Sequence, residues 1–175
     1  MKVRAVLLGD RCVGKTQFLN HLRNLKTEHY CPTVGVDFAC HRVDGVDLQL
    51  WDSSGNSRFR HVVDTFAKTA DLCIFMYRTK RHFETMMGLI ADAQRKEHGK
   101  RFCIVALDNF GLGHAVAEKY GFVFYTVNVY DRAECMAVLS AIVEFCKFEQ
   151  ERSGFLGVKP AKPREREEGY CWRFC

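Results

Sequence analysis

Residues 9–16 read Gly9-Asp10-Arg11-Cys12-Val13-Gly14-Lys15-Thr16, the spacing Gly-x-x-x-x-Gly-Lys-Thr. A glycine-rich loop of this kind aims consecutive backbone N–H groups at one point, where they cradle phosphate oxygens. The Lys15 ammonium would reach the β- and γ-phosphates and the Thr16 hydroxyl would take Mg²⁺. Further on, the apolar stretch Leu48-Gln49-Leu50-Trp51 ends in Asp52, and Gly55 follows three residues later. In phosphoryl-transfer sites such a carboxylate holds Mg²⁺, usually through water, and the glycine N–H meets the terminal phosphate. Between the two, in Tyr30-Cys31-Pro32-Thr33-Val34-Gly35-Val36-Asp37-Phe38, Thr33 could complete the metal shell. The chemistry these residues point to is the grip of a magnesium-bound triphosphate.

The eight-residue loop also occurs in chains that bind no nucleotide, so its setting decides. Val3–Leu8 is an apolar run that reads as a buried strand, and Lys15–Leu25 carries Phe18, Leu19, Leu22 and Leu25 at helical spacing. A strand feeding a loop that opens a helix adds the partial positive charge of the helix N-terminus to the same point. The remaining chain continues the alternation. Val36–Val43 and Val46–Trp51 read as a hairpin through Asp44-Gly45. Leu72–Tyr77 is uninterrupted and apolar, as a strand buried on both faces should be. Then come a helix over His82–His98 closed by Gly99, a strand over Arg101–Leu107, a short helix over Gly113–Tyr120 capped by Gly121, a strand over Phe122–Val127 and an amphipathic helix over Arg132–Phe148. That order predicts an α/β architecture of the P-loop nucleotide-binding class: a six-stranded, mostly parallel sheet with helices on both faces and the ligand at the C-terminal strand ends. From Glu149 the hydrophobic period stops, and glycines, prolines and the charged run 164–168 predict a flexible tail. The expected organisation is one domain over residues 1–148 and a tail over 149–175.

At these residues the chain resembles the Ras superfamily of small GTPases, and within it the Rab branch. The loop Gly9–Thr16, the segment Thr33-Val34-Gly35-Val36-Asp37-Phe38 of a first switch, Leu48–Asp52 entering a second switch, and Arg58-Phe59-Arg60 within it carry the resemblance. It is strong over residues 3–78 and collinear to about 148. The resemblance implies a small G-domain that binds GTP and GDP with Mg²⁺, residues 9–16 with Tyr30, Thr33 and Gly55 on the phosphates, and Thr16, Thr33 and Asp52 at the metal. Lys15, Asn56 and Arg11 become the catalytic candidates. It implies partners too: an exchange factor, a GTPase-activating protein and effectors. These would read a face made of Val34, Gly35, Val36, Phe38, Trp51, Arg58, Phe59 and Phe66, with Phe38, Trp51 and Phe66 as an aromatic triad. Large rigid aromatics carry much of the energy of protein interfaces.

The departures bear on activity. Where the family shows Asn-Lys-x-Asp, this chain reads Ala106-Leu107-Asp108-Asn109-Phe110, and no register supplies both the Asn-Lys pair and the Asp. Asp108, Asn109 and Asn128 are the remaining base-binding candidates. Two readings stay open: Asn109 in the acid's place, suiting a base with a carbonyl at C2 such as xanthine, or a decayed motif with little base discrimination. Leu25 or Lys26 replaces the aromatic that usually stacks on the base. The water-orienting Gln is Asn56, one methylene shorter, and positioning errors near 1 Å can cost ~10²-fold in rate. Arg11 stands where the family keeps a small residue. It would either crowd the attacking water or act as an arginine finger in cis, and loop geometry favours crowding. Slow GTP hydrolysis is expected, with a Rab mimic that binds effectors but barely turns over as the alternative.

Composition sets outer bounds. The 175 residues suit one domain, and the net charge of +5 is modest. No basic run is interleaved with aromatics, which argues against nucleic acid. The N-terminus leads directly into the first strand, so no leader is expected, and no apolar stretch reaches the ~20 residues of a membrane span. Nine cysteines at irregular spacing, with Cys73, Cys103 and Cys146 on predicted core faces, read as free thiols in a reducing cytosol. The expected location is cytoplasmic, peripheral on a membrane if the tail carries lipid. Cys171 and Cys175 are the lipidation candidates, although a prenylation box would need cysteine at position 172, which is Trp.

Overall fold

The computed structural model describes residues 1–25, 31–96, 101–107 and 112–156. Six strands form one sheet: β1 (Lys2–Leu8), β2 (Val36–Val43), β3 (Val46–Ser53), β4 (Leu72–Tyr77), β5 (Arg101–Ala106) and β6 (Val123–Thr126), in the order β2-β3-β1-β4-β5-β6. Only β2 and β3 run antiparallel; every other neighbouring pair is parallel. The β2–β3 connection needs positive φ at both turn positions, and Asp44 (46°) and Gly45 (79°) supply it.

The alternation of side chains along each strand divides the core into two layers. From β1, Val3, Ala5 and Leu7 join a cluster with Phe18, Leu19 and Leu22 of α1 (Lys15–Arg23) and with Leu139, Ile142 and Cys146 of α5 (Arg132–Leu156). Val6 and Leu8 face the other way. They pack with Val63 and Ala67 of α2 (Arg60–Thr69), Met86 and Ile90 of α3 (Lys80–Lys96), and Ala117 of α4 (Leu112–Tyr120). Helices therefore cover both faces, as the strand–helix order requires. Cys73, Cys103 and Cys146 are fully buried as free thiols.

Among the differences from the expected elements are one missed helix and two shifted helix ends. The first helix stops at Arg23, not Leu25, because Asn24 adopts the left-handed conformation (φ 55°) and closes the end, with its N–H on the His21 carbonyl and the Leu25 N–H on Asn20. A ten-residue helix, α2, preceded by a 3₁₀ turn over Ser57–Phe59, occupies a stretch to which the hydrophobic pattern assigned no element. The last helix continues past Phe148 to Leu156. Glu149, Gln150, Glu151 and Arg152 are good helix formers with no core to reach; Arg152 pairs with Glu149 at 3.4 Å and lies over the Phe148 ring. Gly99 and residues 157–175, with Cys171 and Cys175, lie outside the described residues. No helix among the described residues is long and apolar enough to cross a membrane.

Candidate functional site

The chain reverses direction across the sheet at β1, whose neighbours β3 and β4 lead to opposite edges. The crevice at such a point, beyond the carboxyl ends of the strands, is where open α/β sheets bind ligands. Residues 9–16 bridge β1 to α1 there. Gly14 is the N-cap of α1 with φ 111°, a conformation closed to most side chains, and a Cβ on it would lie 2.6 Å from Leu107 Cδ2. Cys12, exposed, also takes a positive φ, 56°.

Lys15 is buried, and its Nζ donates to the carbonyls of Gly9 (2.9 Å) and Asp10 (2.7 Å). Burial draws its pKa down to about 8, with Asp52 and Asp10 opposing the shift. The ammonium is thus held at the mouth of the loop by main-chain oxygens.

Asp52, at the end of β3, is wholly buried. Its Oδ2 accepts from the hydroxyls of Thr16 (2.6 Å) and Thr33 (2.8 Å), which are themselves 3.0 Å apart. Its Oδ1 is buried and has no hydrogen-bond partner. Burial raises the carboxyl pKa; the two hydroxyls and the Lys15 charge counter it. A buried carboxylate oxygen without a partner is costly unless a cation or water completes it. Three oxygen donors from three separate segments, one of them an orphaned carboxylate oxygen, fit a hard divalent cation such as Mg²⁺. The three metal-binding residues expected from sequence are brought together.

The two segments expected to act as switches meet over this site. The Ser54 N–H donates to the Gly35 carbonyl at 2.8 Å, and Ser53 Oγ to the Leu7 carbonyl at 2.5 Å. Gly55 rests directly on the phosphate loop: a Cβ there would sit 2.4 Å from Arg11 N and 2.5 Å from the Asp10 carbonyl carbon. Asn56 is turned to local work, its Oδ1 accepting the Arg58 N–H at 3.2 Å as the cap of the 3₁₀ turn. Arg11 is exposed; its backbone N–H is taken by Asp10 Oδ1 at 2.7 Å.

On the outer surface, Phe38 of β2 stands opposite Trp51 of β3 in the strand register. The Trp51 ring meets Phe66 of α2 edge to face, centroids 4.9 Å apart at 86°. Phe38 is 44% exposed and Val34 78%, beside the exposed Arg58. Of the aromatic triad named from sequence, Trp51 and Phe66 are in ring contact, and Phe38 is the cross-strand neighbour of Trp51.

The base side is different. Of the candidates there, Asp108 and Asn109 lie outside the described residues, as does Tyr30 of the phosphate set. Asn128 serves the backbone: its Oδ1 accepts the Tyr130 N–H (3.1 Å), and its own N–H donates to Glu134 Oε2 (2.8 Å). Leu107 and Val129, both buried, close on Gly14 instead. The sequence placed Leu107 at the end of a strand and in the departed base motif, but not against Gly14. Arg23 escaped the sequence reading: it forks onto Asp37 (2.6 and 2.8 Å), also donates to the Phe38 carbonyl, and holds the Asp37 carboxyl below the usual range. Nothing in the local pattern announces that pairing.

The Roc family model (Ras of Complex, Roc, domain of DAPkinase) matches residues 4–109. Among curated proteins, the chain is 37% identical over 75 residues to Ras-related protein Rab-7B of Dictyostelium discoideum, covering 43% of this chain and 38% of that protein. It is 37% identical over 82 residues to Ras-related protein Rab7 of Prunus armeniaca (44% and 40%), and 35% identical over 91 residues to the Ypt/Rab-type GTPase ypt7 of Schizosaccharomyces pombe (48% and 44%). The matched region spans less than half the length of these relatives.

Proposed function

The chain belongs to the Ras superfamily of small GTPases, with Rab-like relatives, and from that premise we propose that it is a GTP-binding switch of membrane traffic with slow hydrolysis. The observation that carries the proposal is the meeting of Thr16, Thr33 and Asp52, with one Asp52 oxygen buried and unpartnered. Thr16, Thr33 and Asp52 would hold Mg²⁺, which would supply positive charge to offset that of the bound phosphates. The N–H groups of residues 9–16 and the Lys15 ammonium bind phosphate. Thr33 and Gly55 each tie one switch to the same point, so a γ-phosphate that engages both draws the segments together, and its loss releases them. The face of Phe38, Trp51 and Phe66, flanked by Val34, Val36, Arg58 and Phe59, then binds effectors and regulators. Membrane contact runs through the C-terminal cysteines.

Slow turnover follows from Asn56 and Arg11. The Asn56 amide has to leave its cap on Arg58 before it can orient a water, and the Arg11 side chain crowds the approach of an arginine finger. A second reading, a partner-binding mimic with little base selectivity, is favoured by one contact: the buried Leu107 packed on Gly14, where the family's motif would place a polar residue.

The test is the nucleotide carried by the purified protein, read by denaturing extraction and chromatography and followed by single-turnover cleavage with Mg²⁺. Bound guanine nucleotide with slow cleavage supports the switch. A bound mixture of bases with no cleavage supports the mimic, and a preference for ATP that depends on Lys15 refutes both.

A further inference from the structure

Asp52, Thr33 and Gly55 occupy the β3 side of the phosphate loop, with Gly55 resting on Asp10 and Arg11. The other side of the loop looks onto the carboxyl ends of β4, β5 and β6, which follow β1 in the sheet order. Three segments leave those ends and converge there. Leu107, directly after β5, and Val129, after β6, both close on Gly14. The Leu107 N–H donates to the Tyr77 carbonyl at 2.8 Å, which brings Arg78, directly after β4, beside them. Burial lowers the His82 imidazole pKa; Asp10 opposes this, and Arg78, Lys15 and Arg81 add to it. Arg78 and the loop lysine thus lie within electrostatic reach of one imidazole.

A large aromatic, Tyr130, follows Val129 on this side and is 72% exposed. Three contacts nevertheless fix its place. Its N–H donates to Asn128 Oδ1 at 3.1 Å, its hydroxyl accepts from Arg78 Nη2 at 3.3 Å, and the Arg78 guanidinium lies over the ring, 5.4 Å from the centroid. A cation over one face leaves a preset ring with apolar area still in water. Such a ring is suited to stacking a flat π-system, and nucleobases stack on aromatic side chains without regard to sequence because every base has a π-face. The neighbouring walls, Leu107 and Val129, are apolar, and their side chains offer no donor or acceptor to tell one base edge from another.

We propose that Tyr130 is the base platform of this chain: the nucleobase of a triphosphate held by the loop stacks on the ring that Arg78 and Asn128 hold in place. The platform contributes equally to any base, so selectivity for guanine does not come from it. The proposal rests on the reading of residues 9–16 as a triphosphate grip.

The test is calorimetric binding of GTP, ATP and inorganic tripolyphosphate to the full chain with Mg²⁺, in the parent, Tyr130→Ala, Tyr130→Trp and Lys15→Ala. Tyr130→Ala should weaken GTP and ATP alike, by about tenfold, the scale of one base–aromatic stack, and leave tripolyphosphate unchanged. Tyr130→Trp should bind both nucleotides at least as tightly as the parent. Thermal unfolding of ligand-free Tyr130→Ala should match the parent, since the ring buries little. Lys15→Ala should weaken all three ligands. Parent-level nucleotide affinity in Tyr130→Ala, an equal loss for tripolyphosphate, a loss confined to one base, or tighter nucleotide binding without the ring would each overturn the proposal and leave the phosphate grip standing. A parent chain that binds none of the three ligands would refute the triphosphate reading, and the platform with it.

Discussion

Replacing Gly55 by Ala adds one methyl group at the seam between the second switch and the phosphate loop. The added carbon would lie 2.4 Å from Arg11 N, 2.5 Å from the Asp10 carbonyl carbon and 2.7 Å from its oxygen. All three are main-chain atoms, anchored by β1 behind and α1 ahead, so no flexible side chain can absorb the contact. Gly55 has no positive φ among the described residues, so the conflict is contact alone and not backbone strain. Relief to ordinary van der Waals distance needs a separation of about 1 Å, and the switch must supply it; a misplacement of that size costs on the order of 10²-fold in a positioned reaction. The assay is single-turnover hydrolysis, paired with equilibrium binding of GDP and of a non-hydrolysable GTP analogue. Hydrolysis should fall about 100-fold, and the preference for the triphosphate analogue over GDP should be lost, while GDP affinity, which needs only the loop, stays near the parent value. Gly88→Ala is the control. Nothing lies within 4 Å of a Cβ there, and the change on α3 should be neutral or stabilising by about 0.5–1 kcal/mol. A Gly55→Ala protein with the parent rate and the parent GTP-to-GDP preference would refute the placement of the second switch on the loop.

Asp52→Asn removes a charge that burial already disfavours, so the nucleotide-free protein should be no less stable. The Mg²⁺-dependent part of its thermal shift should vanish: a ligand at 100 times its Kd gives about 2.7 kcal/mol, or roughly 5–11 °C for a chain of this size. Because the Lys15 pKa lies at about 8 in the folded protein, below its ordinary 10.5, phosphate binding should be undiminished below pH 8 and weaken above it. Between pH 7 and pH 9 the nucleotide Kd should rise about tenfold, and Lys15→Ala should flatten the profile. Tyr77→Phe deletes the hydroxyl that accepts the buried Gly113 N–H at 3.0 Å; thermal unfolding should show a loss of about 1–3 kcal/mol.

Much of this was legible in the chain because its signals are local. The loop Gly9–Thr16 follows its strand directly, Asp44-Gly45 can hardly form anything but a tight turn, and Leu72–Tyr77 is too uniformly apolar to lie anywhere but the sheet centre. Those three fix the sheet and put Lys15, Thr16 and Asp52 at one end of it. What stayed hidden depends on contacts between distant segments. α2 has only Val63 and Ala67 fully buried, too few to mark a helical period over ten residues. Asn24 ends α1 through a backbone conformation that many asparagines never adopt. The Arg23–Asp37 fork and the seat of Leu107 on Gly14 join residues 14 and 93 positions apart. No spacing rule links such positions, so only the folded chain displays them.

The account rests on a magnesium-bound triphosphate gripped by Thr16, Thr33 and Asp52. The most direct measurement is the GTP dissociation constant with and without Mg²⁺, in the parent protein and in Asp52→Asn. The account predicts that Mg²⁺ tightens GTP binding in the parent and has little effect in the variant. Equal affinity with and without the ion in the parent, or a full magnesium effect retained in Asp52→Asn, would contradict it.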